Sequence, residues 1–524
     1  MIKNALWVLL VSTSLLAVAQ DRKMDPRIIY ANTIMPSDLK EHLEVLASDA
    51  YEGRETGQKG QKMAAKYIAG AFKSFGVGHA GIPDGYFQSF ELTENSWGNT
   101  WITSGNEELY SFGKDFYGFL DYNKTMDTTT REVVFLGYGI DDPKYSDYSG
   151  MEVTGKILVV LGGEPKDKNG NYRISGDETP SDWSTKWRIK GATASEKGAA
   201  CIMIVDSKME ARVEDGYFMD YVRHATLDLP AENPEPDGAN VLYIAPAMAA
   251  ALLGQPQLDK AVSKITKKGK PVHFTAAKPL TFMIQRITSP VYTENVLGYI
   301  PGTDLKDEVI VVTAHYDHIG KEGDEVFNGA DDDGSGTVAL LEIAQAMSIA
   351  KMEGHGPRRS ILIMGFSGEE KGLLGSEYYS ENPVFPLENT VANLNIDMVG
   401  RIDEDHINDS NYVYIIGSNF LSTELHEINE YNAKTYTDLT LDYRFNSTDD
   451  PNRFYYRSDH YNFAKHNVPV IFFFNGTHDD YHEASDEVDK IDYEILAKRT
   501  RLVFYDLWTL ANMDNRIQVD VVQE

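Results

Sequence analysis

The alternation of apolar runs and helical patterns from about residue 290 onward constrains the fold of this chain more than any other feature. Strand-like runs lie at 309–313, 360–366, 392–398 and 468–474. Helical patterns cover 337–350, 423–431 and 491–512. Strands that alternate with helices along a chain are typical of an α/β fold. We therefore expect a mixed central sheet flanked by helices on both faces.

Histidines and carboxylates collect where these apolar runs end. They are His315, Asp317, the triplet 331–333, Glu369, Glu370, Asp397 and His482, with Tyr481 beside the last of them. Strand ends that meet at one edge of an α/β sheet are where such folds build their sites. Imidazole and carboxylate groups are ligands suited to zinc, and they also accept manganese or cobalt. This pattern predicts a metal-activated water and therefore a hydrolase.

The residues beside these candidate ligands are predicted to have separate roles. Asp317 follows His315 by two residues, so in an extended segment it points the same way and could accept the second imidazole N–H. His318 is predicted to face elsewhere and to be structural. The adjacent carboxylates of Glu369 and Glu370 would repel each other without a cation, and they could divide the roles of ligand and general base.

The triplet Asp331-Asp332-Asp333 precedes a Gly-Ser-Gly turn and a helical pattern. One carboxylate of this triplet could bridge two cations. The alternative interpretation is that it caps the helix that follows. The triplet by itself favours neither interpretation.

These motifs together resemble peptidase family M28, whose members are di-zinc exopeptidases, in the branch with an inserted protease-associated domain. The segments 39–43, 47–54 and 85–88 look like the start of that branch, and the strands within 131–205 look like its inserted domain. The resemblance implies the α/β zinc-exopeptidase fold, which is phosphorylase/hydrolase-like. It divides the chain into an N-terminal part of the peptidase domain, an insert and a catalytic metallopeptidase domain, at 20–110, 111–285 and 286–524.

The resemblance also implies two zinc ions, for which manganese or cobalt could substitute. The implied ligands are His315 and Asp397 for one ion, Glu370 and His482 for the other, and Asp332 between the two. Asp332 is preferred to Asp331 because the family's bridging aspartate opens an Asp-x-x-Ser-Gly frame. Glu369 would be the general base and Asp317 the partner of His315. Contacts to the substrate or the oxyanion are implied for Tyr481 and for the segment 457–460.

The polarity of the exopeptidase has two interpretations. Carboxylate oxygens at the edge of the anionic cluster could hold the α-ammonium group of a free N-terminus, as in an aminopeptidase. A carboxypeptidase or dipeptidase needs a cationic clamp, for which Arg401, Arg453 and Arg457 are near enough in sequence. The resemblance favours the aminopeptidase, because bacterial secreted members of this branch mostly have that activity. A one-zinc glutaminyl cyclase or an inactive binding homologue fits less well, because every ligand position is filled.

The segment from about 110 to 285 is predicted to be a separate β-rich domain that shapes substrate access and supplies no ligand. Its apolar runs at 133–139, 156–161 and 198–205 are strand-like, and no cluster of histidines and carboxylates accompanies them. The stretch 167–171 resembles the start of a calcium loop but lacks its acidic ligands, so a hairpin turn is predicted. The single cysteine, Cys201, is predicted to be a buried strand residue.

The N-terminus predicts export. Lys3, the apolar run 5–16 and the small residues Ala17-Val18-Ala19 form a signal peptide over 1–19 with cleavage after Ala19. The run is shorter than the roughly 20 residues of a membrane span, so an anchor is the weaker alternative. The mature chain is then expected in the periplasm or outside the cell, with no stable insertion in a membrane.

The net charge of −31 argues against nucleic acid as a partner, because phosphates require a basic surface. The expected partners are peptide substrates. The sequence predicts nothing about the oligomeric state.

Overall fold

The structure of the protein is a computed structural model, and it describes residues 25–105, 108–231 and 235–521. The predicted signal peptide lies outside these residues. Two compact units divide the chain, one containing residues up to Gln88 and from Asn295 onward, the other Ser89–Glu294. No helix within the described ranges is both long and apolar enough to span a membrane.

The secondary structure alternates along most of the chain. The helices are α1 (Pro26–Ala31), α2 (Pro36–Leu46), α3 (Lys59–Phe75), α4 (Asp182–Thr185), α5 (Ile189–Glu196), α6 (Met209–Glu214), α7 (Gly216–Arg223), α8 (Pro246–Leu253), α9 (Gln255–Lys268), α10 (Gly336–Met352), α11 (Leu374–Glu381), α12 (Thr423–Asn432), α13 (His460–Ala464) and α14 (Tyr493–Asn512). The strands are β1 (Phe87–Ser104), β2 (Glu108–Ser111), β3 (Phe116–Gly118), β4 (Met126–Arg131), β5 (Val133–Leu136), β6 (Asp141–Asp142), β7 (Tyr145–Ser146), β8 (Ile157–Leu161), β9 (Cys201–Val205), β10 (Thr226–Asp228), β11 (Asn240–Ile244), β12 (His273–Thr275), β13 (Leu280–Ile300), β14 (Leu305–His315), β15 (Gly320–Glu322), β16 (Glu325–Phe327), β17 (Arg359–Phe366), β18 (Thr390–Ile396), β19 (Tyr412–Ile416), β20 (Thr440–Asp442) and β21 (Val470–Phe474).

The first unit is built on a mixed sheet with the strand order β13-β17-β14-β18-β21-β19-β20. Its centre is parallel, because β14 pairs in parallel with β17 and β18, and β18 pairs in parallel with β21. The pairs β13–β17 and β19–β21 are antiparallel. The prediction of a mixed sheet flanked by helices is confirmed.

The central strands are apolar throughout because both faces of the sheet are buried. Along β14, Ile310 and Val312 pack into the core that contains α10 and α14, whereas Val309 and Val311 pack into the core on the other face. This alternation follows from the two-residue period of a strand. Helix α10 is buried over most of its surface, which agrees with its apolar composition.

The predicted elements of this unit agree with the observed ones to within a few residues. The helical pattern at 337–350 corresponds to α10, 423–431 to α12 and 491–512 to α14. The four predicted apolar strands correspond to β14, β17, β18 and β21. Strand β19 was not predicted, although it is fully buried between neighbouring strands.

The second unit contains more helix than the predicted β-rich domain. Its main sheet has the order β12-β5-β8-β9-β11-β3, and the four central strands are parallel. Parallel neighbours require crossover connections, and helices α4 to α7 lie in the segments that link β8 to β9 and β9 to β11. This unit, Ser89–Glu294, extends beyond the predicted segment 111–285 at both ends. Strands β1 and β13 run across the ends of the unit with no change in composition, so no local signal marks them.

Two smaller predictions in the second unit are confirmed. Asp167 accepts hydrogen bonds from the main-chain N–H groups of Asn169 (2.8 Å) and Asn171 (3.0 Å), which close the predicted hairpin turn between Lys166 and Tyr172. Cys201 begins β9 and is fully buried. Burial raises the pKa of its thiol far above the ordinary value, so the side chain acts as a small apolar group.

Candidate metal centre

The carboxyl ends of the four central strands meet at one edge of the sheet. His315 is the last residue of β14, Asp397 directly follows β18, and Glu369 and Glu370 lie in the turn after β17. His482 lies in the loop after β21. The predicted candidates are therefore brought together because parallel strands deliver their following residues to the same edge.

Asp332 lies between two groups of donor atoms, and each of its carboxylate oxygens belongs to one group. Oδ1 is 3.3 Å from Nε2 of His315, which is also 3.6 Å from Oδ1 of Asp397. Oδ2 is 3.1 Å from Nε2 of His482, which is also 3.1 Å from Oε2 of Glu370. The arrangement has the connectivity of two cation sites that share one bridging carboxylate.

The other two aspartates of the triplet have structural partners. Asp331 accepts a hydrogen bond from the main-chain N–H of Gly400 at 2.7 Å and contacts Nε2 of His478 at 3.1 Å. Asp333 accepts from the main-chain N–H groups of Gly336 (2.9 Å) and Met398 (3.0 Å). Within the triplet, Asp333 caps the start of the helix that follows, and Asp332 is the residue whose carboxylate lies between the two groups of donor atoms.

The donor set fits a metal ion better than it fits a hydrogen-bond network. Asp332 Oδ2 and Glu370 Oε1 are buried and have no hydrogen-bond partner among the described residues, although other donor atoms lie within 4 Å. Two ligand atoms on one tetrahedral zinc ion lie about 3.3 Å apart when each bond is about 2.05 Å long. The separations of 3.1–3.6 Å around Asp332 match that spacing.

Electrostatics also favour a cation at this edge. Burial lowers the pKa of His315, but the carboxylates of Glu369 and Asp397 outweigh it and hold the pKa well above the usual value. Burial likewise opposes protonation of His482, whose contacts with Asp332 and Glu370 raise its pKa to about 10. The site therefore attracts positive charge strongly, and a metal ion that binds here displaces these protons.

Glu369 lies beside the candidate ligands of the group around His315. Oε2 is 3.9 Å from Nε2 of His315, and the side chain is 11% exposed. Burial raises the pKa of Glu369 well above its usual range, and the charges of Asp397 and Glu370 raise it further. A carboxyl group whose proton affinity is raised in this way can accept a proton from a water molecule.

Asp317 is fully buried behind His315, but its carboxylate is not the nearest partner of the imidazole. Nδ1 of His315 is 3.1 Å from the main-chain oxygen of Asp317 and 3.8 Å from its Oδ1. The carboxylate accepts hydrogen bonds from the Thr56 hydroxyl (2.6 Å) and from the main-chain N–H of Glu369 (3.3 Å). Asp317 thus connects the segment that follows β14 with the segment that carries the candidate base.

The segment 457–460 contacts the candidate ligand Asp397 through Ser458, a residue to which sequence analysis gave no separate role. Ser458 donates a hydrogen bond to Oδ2 of Asp397 at 2.6 Å and accepts one from Asn395 at 2.9 Å. Asp459 is buried and forms no ion pair with the exposed Arg457 in the described parts of the chain. Ser458 therefore fixes the orientation of Asp397.

Arg54 holds the loops beneath the site together, and sequence analysis gave it no role. Its guanidinium is fully buried and donates hydrogen bonds to the main-chain oxygens of Leu46 (2.9 Å), Tyr316 (2.8 Å), Asn328 (2.6 Å) and Gly329 (3.0 Å). Burial lowers its pKa, and the nearby aspartates counteract that effect. Only the tertiary structure brings these four oxygens together, so no local signal marks Arg54.

The prediction that His318 faces elsewhere is wrong. The imidazole is fully buried, and Nδ1 lies 2.7 Å from Oε1 of Glu370 and 3.8 Å from Oδ2 of Asp332. The chain turns after β14 as it pairs with the segment at Glu55, so the two-residue alternation of an extended strand no longer applies.

A small cavity opens onto the donor atoms of His315, Asp332 and Asp397. Tyr481 and Arg457 lie on its wall, and the guanidinium is 3.4 Å from the tyrosine hydroxyl. The Tyr481 ring also stacks on the His482 ring with a centroid distance of 4.0 Å. Beside the candidate ligands and Glu369, the cavity is lined by Met398, Phe454, Phe472, Phe474 and Thr477.

The fold is of the α/β class, and this edge of its sheet carries imidazole and carboxylate groups that suit a metal ion. Residues 295–506 match the model of peptidase family M28.

Several curated relatives match a part of the chain. A probable zinc metalloprotease of Pyrenophora tritici-repentis is 38% identical over 129 residues, which are 23% of this chain and 24% of that protein. The aminopeptidase YwaD of Bacillus subtilis is 31% identical over 150 residues, 27% of this chain and 30% of that protein. A probable glutamate carboxypeptidase of Arabidopsis thaliana is 37% identical over 105 residues, 20% of this chain and 14% of that protein. The matches thus span less than a third of each relative.

A similarity in fold extends over most of the chain. The aminopeptidase from Aneurinibacillus sp. strain AM-1 is 18% identical and covers 95% of this chain and 99% of its own, with a TM-score of 0.55. The imidazole and carboxylate donors of the candidate site are ligands that suit zinc.

Proposed function

We propose that this chain is an exported zinc-dependent aminopeptidase with two metal ions. The observation that supports it most is Asp332, whose two oxygens each lie 3.1–3.3 Å from the imidazole of a different group. His315 and Asp397 would hold one ion and Glu370 and His482 the other, with Asp332 shared. When bound, the two ions would lower the pKa of a shared water and polarise the scissile carbonyl.

Glu369 is the proposed general base. Its carboxylate lies beside the first group and at the wall of the cavity, where a water molecule could reach it. It would accept the proton of the attacking water and pass it to the leaving amine. Tyr481 lies on the same wall, where its hydroxyl could donate a hydrogen bond to the oxyanion of the tetrahedral intermediate.

The arginines that could serve a carboxypeptidase are not equally available. Arg401 forms ion pairs with Asp480 at 2.9 Å and with Asp486 at 3.9 Å. Arg453 lies over the ring of Tyr456, away from the cavity wall. Arg457 alone of the three lines the cavity, so it is the observation that favours the second candidate function, a carboxypeptidase or dipeptidase.

A paired assay tests the polarity. An aminoacyl substrate with a free amine and no carboxylate is compared with an N-acylated peptide that has a free C-terminus. We expect turnover of the first substrate only. Turnover of the N-acylated peptide alone would reject the aminopeptidase and support the second candidate.

The variant Arg457→Gln separates the two functions further. If Arg457 clamps a terminal carboxylate, its loss raises KM for substrates with a free C-terminus by about tenfold or more, and leaves carboxylate-free substrates unaffected. We expect KM for an aminoacyl amide to change by less than about threefold. Arg453→Gln, which alters an arginine outside the cavity, is the matched control.

A further inference from the structure

We propose that Asp486 is a positioning residue for Asp332, because its buried carboxylate holds the main chain of that proposed metal bridge. The inference rests on the two-metal function proposed above. Sequence analysis gave Asp486 no role, and it lies 154 residues from Asp332 along the chain. The contact between the two residues is therefore a product of the fold.

The carboxylate of Asp486 accepts hydrogen bonds from two consecutive main-chain N–H groups. Its Oδ2 accepts from Asp331 at 2.9 Å and from Asp332 at 3.1 Å, and its Oδ1 also accepts from Asp331 at 3.1 Å. The side chain of Asp486 is fully buried. Asp332 thus has its main chain held by Asp486, while its own carboxylate oxygens lie near the imidazoles of His315 and His482.

These hydrogen bonds matter for the candidate bridge because of what their loss would do. A buried main-chain N–H group that loses its acceptor costs free energy, so the segment would shift toward another partner. Both oxygens of Asp332 belong to one side chain. A shift of its main chain therefore displaces both of them from the two groups of donor atoms at once.

The main chain around Asp486 strengthens the same connection. The N–H of Ala330 donates to the main-chain oxygen of Asp486 at 3.1 Å, and the N–H of Asp486 donates to the oxygen of Glu483 at 3.1 Å. Glu483 directly follows His482, a proposed ligand of the second ion. Asp486 therefore joins the segment of the proposed bridge to the loop that carries His482.

Arg401 lies beside the same carboxylate but contacts it less closely. Its Nη1 is 3.9 Å from Oδ1 of Asp486 and has no hydrogen-bond partner among the described residues, whereas its Nη2 is 2.9 Å from Asp480. The main-chain N–H groups of Asp331 and Asp332 are thus the closer partners of Asp486.

A buried aspartate of the second unit makes the same kind of contact away from the candidate ligands. Asp147 accepts hydrogen bonds from the main-chain N–H groups of Tyr138 at 2.9 Å and Ile140 at 3.2 Å. Of the described residues, those that form groups able to hold a metal ion belong to the first unit. Asp147 therefore separates a loss of stability from a loss of metal affinity.

The role predicts that both metal ions bind more weakly when Asp486 is changed. In Asp486→Ala we expect both zinc dissociation constants to rise about 10- to 100-fold, the usual effect of losing a partner that orients a ligand, because both ions share Asp332. Asp486→Asn keeps one acceptor oxygen, so it should show a smaller rise that still affects both ions. In Asp147→Ala and Asp147→Asn, which alter an independent site, both constants should stay within about threefold of wild type.

The experiment is a chelator competition that measures both zinc dissociation constants in the full-length protein. It compares wild type with the two Asp486 variants and the two Asp147 variants. Asp397→Asn identifies the constant of the ion near His315, since Asp397 lies in that group only. Thermal unfolding shows which variants are folded at the temperature of the assay, and Asp486→Asn with its matched control Asp147→Asn decides the test if Asp486→Ala is not folded.

The outcomes separate this inference from the proposed function. Two zinc ions in wild type, with constants that change no more in the folded Asp486 variants than in the Asp147 variants, would overturn the inference and leave the two-metal function intact. Weakening of one ion alone would also overturn it, because a displaced bridge affects both ions. One zinc ion in wild type would reject the two-metal function, and with it the role of Asp486 in holding a bridge.

Discussion

Three consecutive aspartates show how strongly local partners decide the role of a residue. Asp331 and Asp333 use their carboxylates on main-chain N–H groups of neighbouring segments. Asp332 has no such partner for its side chain among the described residues and instead contacts two imidazoles. The same side chain is thus a structural hydrogen-bond acceptor at two positions and a candidate metal bridge at the third.

Replacement of Glu369 by glutamine tests the general base. We expect turnover to fall by about 10²- to 10⁴-fold, because the amide cannot accept the proton, while both metal ions remain bound. The measurements are kcat on an aminoacyl substrate and the metal content by elemental analysis. Loss of a metal ion in this variant would show that Glu369 is a ligand and not the base.

Replacement of Asp332 by asparagine tests the bridge. We expect the occupancy of both metal sites to fall together, because both oxygens of this carboxylate face donor groups. The control is Asp397→Asn, which should weaken only the ion near His315. Metal content measured after dialysis against a weak chelator distinguishes the two variants. An Asp332→Asn protein that keeps one ion at wild-type affinity would contradict the bridging role.

At the scale of elements, the candidate site lies on loops that buried hydrogen bonds hold in place. The residues that carry the candidate ligands follow β14, β17, β18 and β21, and these strands are rigid because they are buried on both faces. The connecting loops are less regular, and Arg54 joins the segment after α2 to those around 316 and 328–329. A single guanidinium therefore stabilises three loops at the metal edge.

Replacement of Arg54 by methionine tests this connection. We expect the free energy of unfolding to fall by about 3 kcal/mol or more, because four buried carbonyl oxygens lose a charged donor. Arg358→Met is the control: this arginine forms exposed ion pairs with Asp304 and Asp514 and one hydrogen bond of 3.4 Å to the main-chain oxygen of Asn512, so its loss should lower the stability much less than the loss of Arg54. Urea denaturation measures both. Equal small losses in the two variants would contradict the proposed role of Arg54.

At the scale of the whole molecule, the two units have different chemistry. The candidate ligands His315, Asp332, Glu370, Asp397 and His482 all belong to the first unit. Of the described residues, those that form groups able to hold a metal ion also belong to it. The assignment of 111–285 to a protease-associated domain stays a prediction.

A buried carboxylate of the second unit provides a test of this division. Asp147 accepts hydrogen bonds from the main-chain N–H groups of Tyr138 (2.9 Å) and Ile140 (3.2 Å) and from the hydroxyl of Tyr145 (2.7 Å). We expect Asp147→Asn to lower the stability of the protein and to leave the metal content at the wild-type value. A folded variant that loses metal would show that the second unit contributes to the metal site.

Export is tested on protein from its native host. We expect a mature N-terminus at Gln20, because Ala17-Val18-Ala19 has the small residues of a cleavage site. N-terminal sequencing of the purified protein measures it. An intact Met1 terminus recovered from the membrane fraction would support the anchor instead.

The sequence by itself determined the class of fold and most of the candidate site. Apolar runs predicted β14, β17, β18 and β21 because strands buried on both faces leave a continuous signal. The positions of His315 and Asp397 at the ends of such runs then predicted the shared edge, because parallel strands deliver their ends to one side. These inferences need only local pattern and the general geometry of a sheet.

The tertiary structure decided what depends on contacts between distant segments. Arg54 meets oxygens as far away as Gly329, and Ser458 meets Asp397, so no local pattern reveals either role. The orientation of His318 depends on a turn of the chain that its neighbours in sequence do not specify. The second compact unit, Ser89–Glu294, is longer than the predicted segment 111–285, because β1 and β13 cross its ends with no change in composition. The sequence identifies groups that suit a site, whereas the packing around them fixes which atoms face each other.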